Sequence, residues 1–296
     1  MIASATVGKV DRPALRGAWT LGLTAVLACL LAGCASQAPS PRPTPAGTES
    51  PGRRPSWMLT RAALASVLSD PAARSRLAGG PVYEILQAGQ APLGAVGAVP
   101  VVTFPSVSEL ARALSSGGLP TGTRAVLYDP EAWPFTPRAE QRDPAQAAGR
   151  ALRLAHAHGL RLFVAPALNL TTLRPSSGPR WQQFLHLGLA GAMAKVADVI
   201  ELQAQSLERD TSSYAAFVHA AARQARAANP RVTVLAGLST NPPGAEVTSQ
   251  QLTAAIRATS GVVSGYWLNI PGRGPRCPTC NAPRPDLARQ ILGDLP

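Results

Sequence analysis

Apolar runs typical of strands alternate along the chain with stretches of helical spacing. Strands are predicted at 81–87, 98–105, 124–129, 160–167, 199–205, 231–239 and 262–270. Helical patterns fall between them at 106–117, 143–158, 180–197, 212–228 and 248–259, and a last helix lies within 284–295. The segment 56–79, SWMLTRAALASVLSDPAARSRLAG, also reads as helical. Ser106 is a suitable N-cap, with Glu109 three residues on. Strands separated by helices imply right-handed parallel crossovers, so the fold class is α/β. About seven such strands suit an irregular (β/α) TIM-like barrel, with a doubly wound open sheet as the rival. The link 88–97, AGQAPLGAVG, is short for a parallel crossover and predicts a distorted barrel or one that lacks a helix.

The first residues follow a different pattern. Lys9, Arg12 and Arg16 precede the apolar run 18–33, which is too short for a comfortable membrane span and has the layout of an export signal. Residues 35–56 are dense in Pro, Ser, Thr and Gly and carry almost no apolar side chain, so they read as an extended tether. The expected organisation is a signal at 1–33, a tether at 34–56 and the barrel domain at 57–296. The run Leu31-Ala32-Gly33-Cys34 resembles the lipobox of bacterial lipoproteins. That resemblance implies cleavage before Cys34, lipidation of Cys34 and attachment to the bilayer through acyl chains, on the extracytoplasmic face of the cell membrane. The alternative is an ordinary signal cut near Ala35, or an uncleaved anchor.

Composition adds one constraint. Of 28 basic residues all but Lys9 and Lys195 are arginine, and the formal net charge is +12. With no base-reading motif beside it, this bias points to genome composition rather than to a nucleic-acid partner. The charge would still draw the protein to anionic lipid or acidic wall polymers.

Candidate chemistry gathers where strands end. VLYDPEAWPF (126–135) turns from an apolar run to Asp129, Glu131 and Trp133, at the carboxyl edge where barrels place their sites, and Tyr128 ends the strand. In DVIELQAQS (198–206) alternation sets Ile200, Leu202 and Ala204 on one face and Val199, Glu201, Gln203 and Gln205 on the other, so that a polar row would face the barrel interior. AGLSTNPPG and GYWLNIPG would bring Ser239, Thr240, Asn241, Tyr266, Trp267 and Asn269 to the same rim. Aromatic faces beside amides and carboxylates suit a sugar ring, so Tyr128, Trp133, Gln203, Gln205, Asn241, Trp267 and Asn269 are candidate substrate-binding residues. Glu131 or Asp129 as acid, with Glu201 as nucleophile or base, would suffice for glycoside hydrolysis. The structural alternative is that Asp129 and Glu131 cap a turn or pair with Arg138 or Arg142, and that Glu201 holds an internal network. No cofactor or metal is implied: His156 and His158 read as helix C-terminal residues before Gly159, and no phosphate-binding loop, nucleophile elbow or His-Glu-x-x-His motif occurs. Cys277 and Cys280, at C-x-x-C spacing in an exported chain, are expected to form a local disulfide.

On its YDPEAW, LQAQ, AGLSTNP and YWLNIP stretches the chain resembles glycoside-hydrolase-like (β/α)-barrel proteins, in particular secreted lipoproteins of high-GC actinobacteria, over about residues 81–290. The resemblance implies a barrel and a cell-wall or extracellular polysaccharide as partner. The long acidic chitinase signature is absent. Two functions follow as expectations: an envelope-anchored glycosidase, or a non-catalytic barrel that binds glycan or another envelope component. The sequence does not indicate an oligomeric state.

Overall fold

The computed structural model describes residues 54–173, 177–242, 246–275 and 277–295. The expected signal, Cys34 and nearly all of the tether lie outside the described residues. The body assigned to Glu49–Pro296 is a closed barrel of eight parallel strands in sequence order.

The chain opens with β1 (Ser56–Thr60), α1 (Arg61–Val67), α2 (Pro71–Ala78), β2 (Val82–Leu86), β3 (Val99–Phe104) and α3 (Val107–Ser115). It continues through β4 (Ala125–Tyr128), α4 (Arg138–Arg142), α5 (Pro144–Ala157), β5 (Arg161–Val164), a 3-10 turn (Leu168–Leu173), α6 (Arg180–His186), α7 (Leu189–Ala194) and β6 (Val199–Leu202). It ends with α8 (Thr211–Ala228), β7 (Thr233–Ser239), α9 (Ser249–Thr259), β8 (Gly265–Asn269) and α10 (Pro285–Asp294).

The strand count of seven is corrected to eight, because 56–60 is a strand rather than the first turn of a helix. Both faces of β1 are covered: Met58 points into the barrel cluster, while Trp57 and Leu59 pack under the helices. A strand buried on both sides shows no apolar–polar alternation. No turn separates it from α1 either, since Thr60 itself caps that helix by accepting from Ala63 N. The expected helix at 180–197 is also revised: Gly188, at φ 62°, breaks it into α6 and α7. The short link between β2 and β3 carries no helix, as expected. Glu84, on the outward side of β2, instead accepts from Leu93 N at 3.0 and 3.1 Å and fastens the loop over the sheet. Burial pushes the Glu84 carboxyl up, and the Leu93 N–H and the Arg61 charge oppose that shift.

The seam that closes the barrel is β1 on β8, with Ser56 opposite Gly265 and Met58 opposite Trp267. A Cβ at position 265 would run into the backbone carbonyl of Ser56, so only glycine allows the two strands to pair at this distance. Each strand therefore sends one set of side chains inward, from Met58 on β1 to Trp267 on β8, and the other set into a much larger layer beneath the helices. Gly265→Ala is expected to destabilise the fold by about 1–3 kcal/mol through this overlap, read as a lower urea midpoint at unchanged slope.

Candidate functional site

The inward row of β6 runs from apolar to polar toward the carboxyl end. Val199 belongs to the interior cluster, and Glu201 follows two residues later with no exposed surface. Ile200, Leu202 and Ala204 pack under the helices, as the alternation predicted. Both carboxyl oxygens of Glu201 are buried without a hydrogen-bond partner. Burial, reinforced by the Asp129 and Glu131 carboxylates, pushes Glu201 well above the usual carboxylate range and so favours its protonated form.

Asp129 stands just beyond β4 and is almost fully buried. It accepts from Gln203 Nε2 at 2.8 Å, and the same amide nitrogen lies 2.9 Å from the Ala165 carbonyl, which ties together the ends of β4, β5 and β6. Glu131 is half-buried and accepts from Asn169 Nδ2 at 3.2 Å, while Asn169 Oδ1 accepts from Ala132 N at 2.8 Å. An amide donor on each suits a carboxylate that carries charge. The structure thus brings Asp129, Glu131, Glu201, Gln203 and Gln205 to one end of the barrel. Gln205 reaches back to Gly237 on β7, where an added Cβ would meet both its side chain and Glu201 Oε1.

Other predicted residues have different surroundings. Tyr128 does not face the interior: it packs under the helices and donates to Glu140 Oε2 at 2.9 Å, and Glu140 also accepts from Val107 N. Burial, with the Glu140 charge, raises its hydroxyl further, so it stays a structural donor. Asn241 is engaged within the fold, its Nδ2 contacting the carbonyls of Pro271, Asn281 and Ala282 at 3.0–3.2 Å. These carbonyls belong to the loop after β8 in which Cys277 and Cys280 form the expected disulfide. Trp267 is part of the interior cluster, only 7% exposed, and does not form a rim platform. Asn269 ends β8 opposite Ser239, and its carbonyl accepts from Thr240 N. Trp133 donates through Nε1 to Thr136 Oγ1 at 2.8 Å and stacks edge-on against Phe135, with ring centroids 5.1 Å apart. Phe135, at 41% exposure, is the exposed large hydrophobic side chain among the described residues.

Three residues were missed from the sequence. Asn169 lies in an apolar–polar stretch with no motif, whereas Gly237, a glycine within a strand, was a legible sign of close approach. The third is Glu208, buried in the β6–α8 loop, which accepts from Ser206 N at 2.6 Å and Ser239 N at 2.7 Å. His156 pairs with Asp198 at 2.9 Å, just before the amino end of β6 and so at the opposite end of that strand from Gln203 and Gln205. Among the described residues no group of three or more His, Cys, Asp or Glu is arranged to hold a metal ion, and no helix is long and apolar enough to cross a membrane.

Fold and site together define a (β/α) barrel with a cluster of carboxylates and amides at its carboxyl end. No protein-family model matches the chain, and no match was found among curated proteins. Among solved structures it is similar to triosephosphate isomerase from Bartonella henselae at 12% identity, over 73% of this chain and 92% of that one, with a TM-score of 0.41. It is also similar to a GH128 (subgroup III) curdlan-specific exo-β-1,3-glucanase from Blastomyces gilchristii, at 11% identity over 83% of this chain and 100% of that one (TM-score 0.43). The PgaB (BpsB) glycoside hydrolase domain from Bordetella bronchiseptica matches at 9% identity over 82% of this chain and 100% of that one (TM-score 0.42). These likenesses concern the fold, which isomerases and glycoside hydrolases share, and fix no activity.

The buried carboxyls give stability a definite pH dependence. Burial pushes Glu208 from 4.5 up to about 7, although its own backbone N–H and those of Ser239 and Ser206 oppose the shift. A carboxyl whose folded value is raised binds its proton more tightly in the folded chain, so its contribution is complete below the unfolded value and is lost as pH rises through the folded one. Glu201 and Glu84 act in the same direction. The fold is expected to lose stability between about pH 4.5 and 7, with Glu208 accounting for at most about 3 kcal/mol, and Glu208→Gln should flatten that part of a urea-midpoint profile.

Proposed function

We propose that the protein is a glycoside hydrolase that acts on cell-wall or extracellular polysaccharide. The observation that carries this reading is the convergence of carboxyls from two strands, with Glu201 buried without a hydrogen-bond donor and Asp129 and Glu131 each given an amide donor. Cleavage of a glycosidic bond needs one carboxyl to protonate the leaving oxygen and one carboxylate to attack the anomeric carbon or activate water. The roles expected from sequence are exchanged: Glu201 is the proton donor, and Glu131 or Asp129 is the nucleophile or base. Glu131 and the Trp133–Phe135 pair lie toward solvent, and an exposed aromatic face beside a carboxylate suits the C–H face of a sugar. In this reading Cys34 carries the acyl anchor that holds the barrel at the extracytoplasmic membrane face, where its polymer substrate is found.

A second reading is favoured by two specific observations. Glu201 has no exposed surface, and Trp133 and Asn241 are already engaged in internal hydrogen bonds. Such a barrel could bind glycan through its rim without turnover.

Incubation of the barrel-bearing chain with purified wall and a polysaccharide panel, with products read by mass spectrometry, separates the two. Wild-type protein is expected to release fragments, while Glu131→Gln and Glu201→Gln lose at least about 100-fold in rate, the scale of removing a proton-transfer group. Retained glycan binding with no release by any variant, across pH, would establish the non-catalytic reading.

A further inference from the structure

Two buried oxygens both lie close to the position that a Cβ would take on Gly237. In the inward row of β7, position 237 lacks a Cβ, and the space that one would occupy is taken by the Gln205 side-chain carbonyl and by Glu201 Oε1. Neither Gln205 Oε1 nor either Glu201 oxygen has a hydrogen-bond donor. Two unprotonated acceptors buried in one small space repel, and each also forfeits the hydrogen bonds that water would have given it. A single hydrogen between them removes both defects.

We propose that Glu201 keeps its proton on Oε1 and donates it to Gln205 Oε1, which makes Gln205 the positioning residue that fixes where the site's proton is held. This rests on the reading of Glu201 as the protonated carboxyl and adds how that proton is oriented. The charges near Glu201 agree with this: the groups that act on it are Asp129 on the end of β4 and Glu131 in the loop beyond, both carboxylates and neither a cation. Gly237 is part of the device, since a Cβ there would collide with both oxygens. Gln203, two residues earlier, uses its own amide on Asp129 and the Ala165 carbonyl. The two glutamines therefore divide the labour, one serving the charged carboxylate and the other the protonated carboxyl.

The amide of Gln205 could be turned over, which would present its N–H to Glu201 and favour the charged form. Infrared spectroscopy tells the two apart without any substrate. In the full chain at pH 8, where Glu208 has given up most of its proton, a protonated-carboxyl C=O band is expected that shifts in D2O and is lost in Glu201→Gln. In Gln205→Met, near in volume but without the amide acceptor, the band should persist and move to higher frequency. Gln205→Asn, whose amide is withdrawn by one methylene, should shift it in the same direction if the methionine variant does not fold. Absence of the band from wild type, or an unchanged band in both Gln205 variants, would overturn the proposal. Because no cleavage is read, these outcomes are independent of whether the protein is a glycosidase.

Discussion

Everything in this structure depends on the closure of the sheet by β1 between β8 and β2. Closure gives each strand an inside and an outside, and with eight strands the inside is just wide enough for side chains to fill it. The backbone contact of Ser56 with Gly265 sets that seam at close range. Without it, Met58 and Trp267 would lie on a sheet edge rather than in the interior cluster, and the inward row of β6 would face solvent. The burial of Glu201, and with it the chemistry of the site, is thus a consequence of a seam made two and three strands away around the barrel.

The interior is graded along its axis. Toward the amino ends of the strands it is filled by apolar side chains such as Ala125, Phe163 and Val199. Toward the carboxyl ends the same inward rows continue as Asp129, Glu201 and Gln203, which are polar. Backbone N–H groups and side-chain amides absorb most of this polarity: Gln203 holds Asp129, Asn169 holds Glu131, and Ser206 and Ser239 hold Glu208. Glu201 is different in having no donor, and a carboxyl without donors inside a protein is stable only as the neutral acid.

The part of this that was legible in the sequence is the part governed by period. Alternation along 199–205 placed Glu201 and Gln203 inward, and the short link 88–97 was readable as a crossover without a helix. Periodicity failed at β1, where burial on both faces erases alternation and Thr60 serves at once as the end of a strand and the cap of a helix. It also could not rank polar residues at strand ends by what they touch. Tyr128 and Asn241 have the chemistry of ligand groups, yet one is claimed by Glu140 and the other by loop carbonyls contributed some 30 to 40 residues later. Glu208 sits in a loop whose composition reads as solvated, and only the fold reveals that the end of β7 covers it.

The identity of residue 201 carries more information than its burial. A glutamine has nearly the shape of a protonated glutamate and offers two N–H donors, so it would satisfy Gln205 Oε1 as well as the acid does. A role limited to filling the barrel would be met by either residue, and the amide would avoid the pH dependence that the acid brings. What the carboxyl adds is the capacity to give up its proton and take it back. Beside Asp129 and Glu131 its anion would be strongly disfavoured, so release is worthwhile only to an acceptor that gains more from the proton than Glu201 loses. An oxygen that becomes basic as its bond to carbon breaks is such an acceptor, and that is the role the proposed glycoside hydrolase reading would give Glu201.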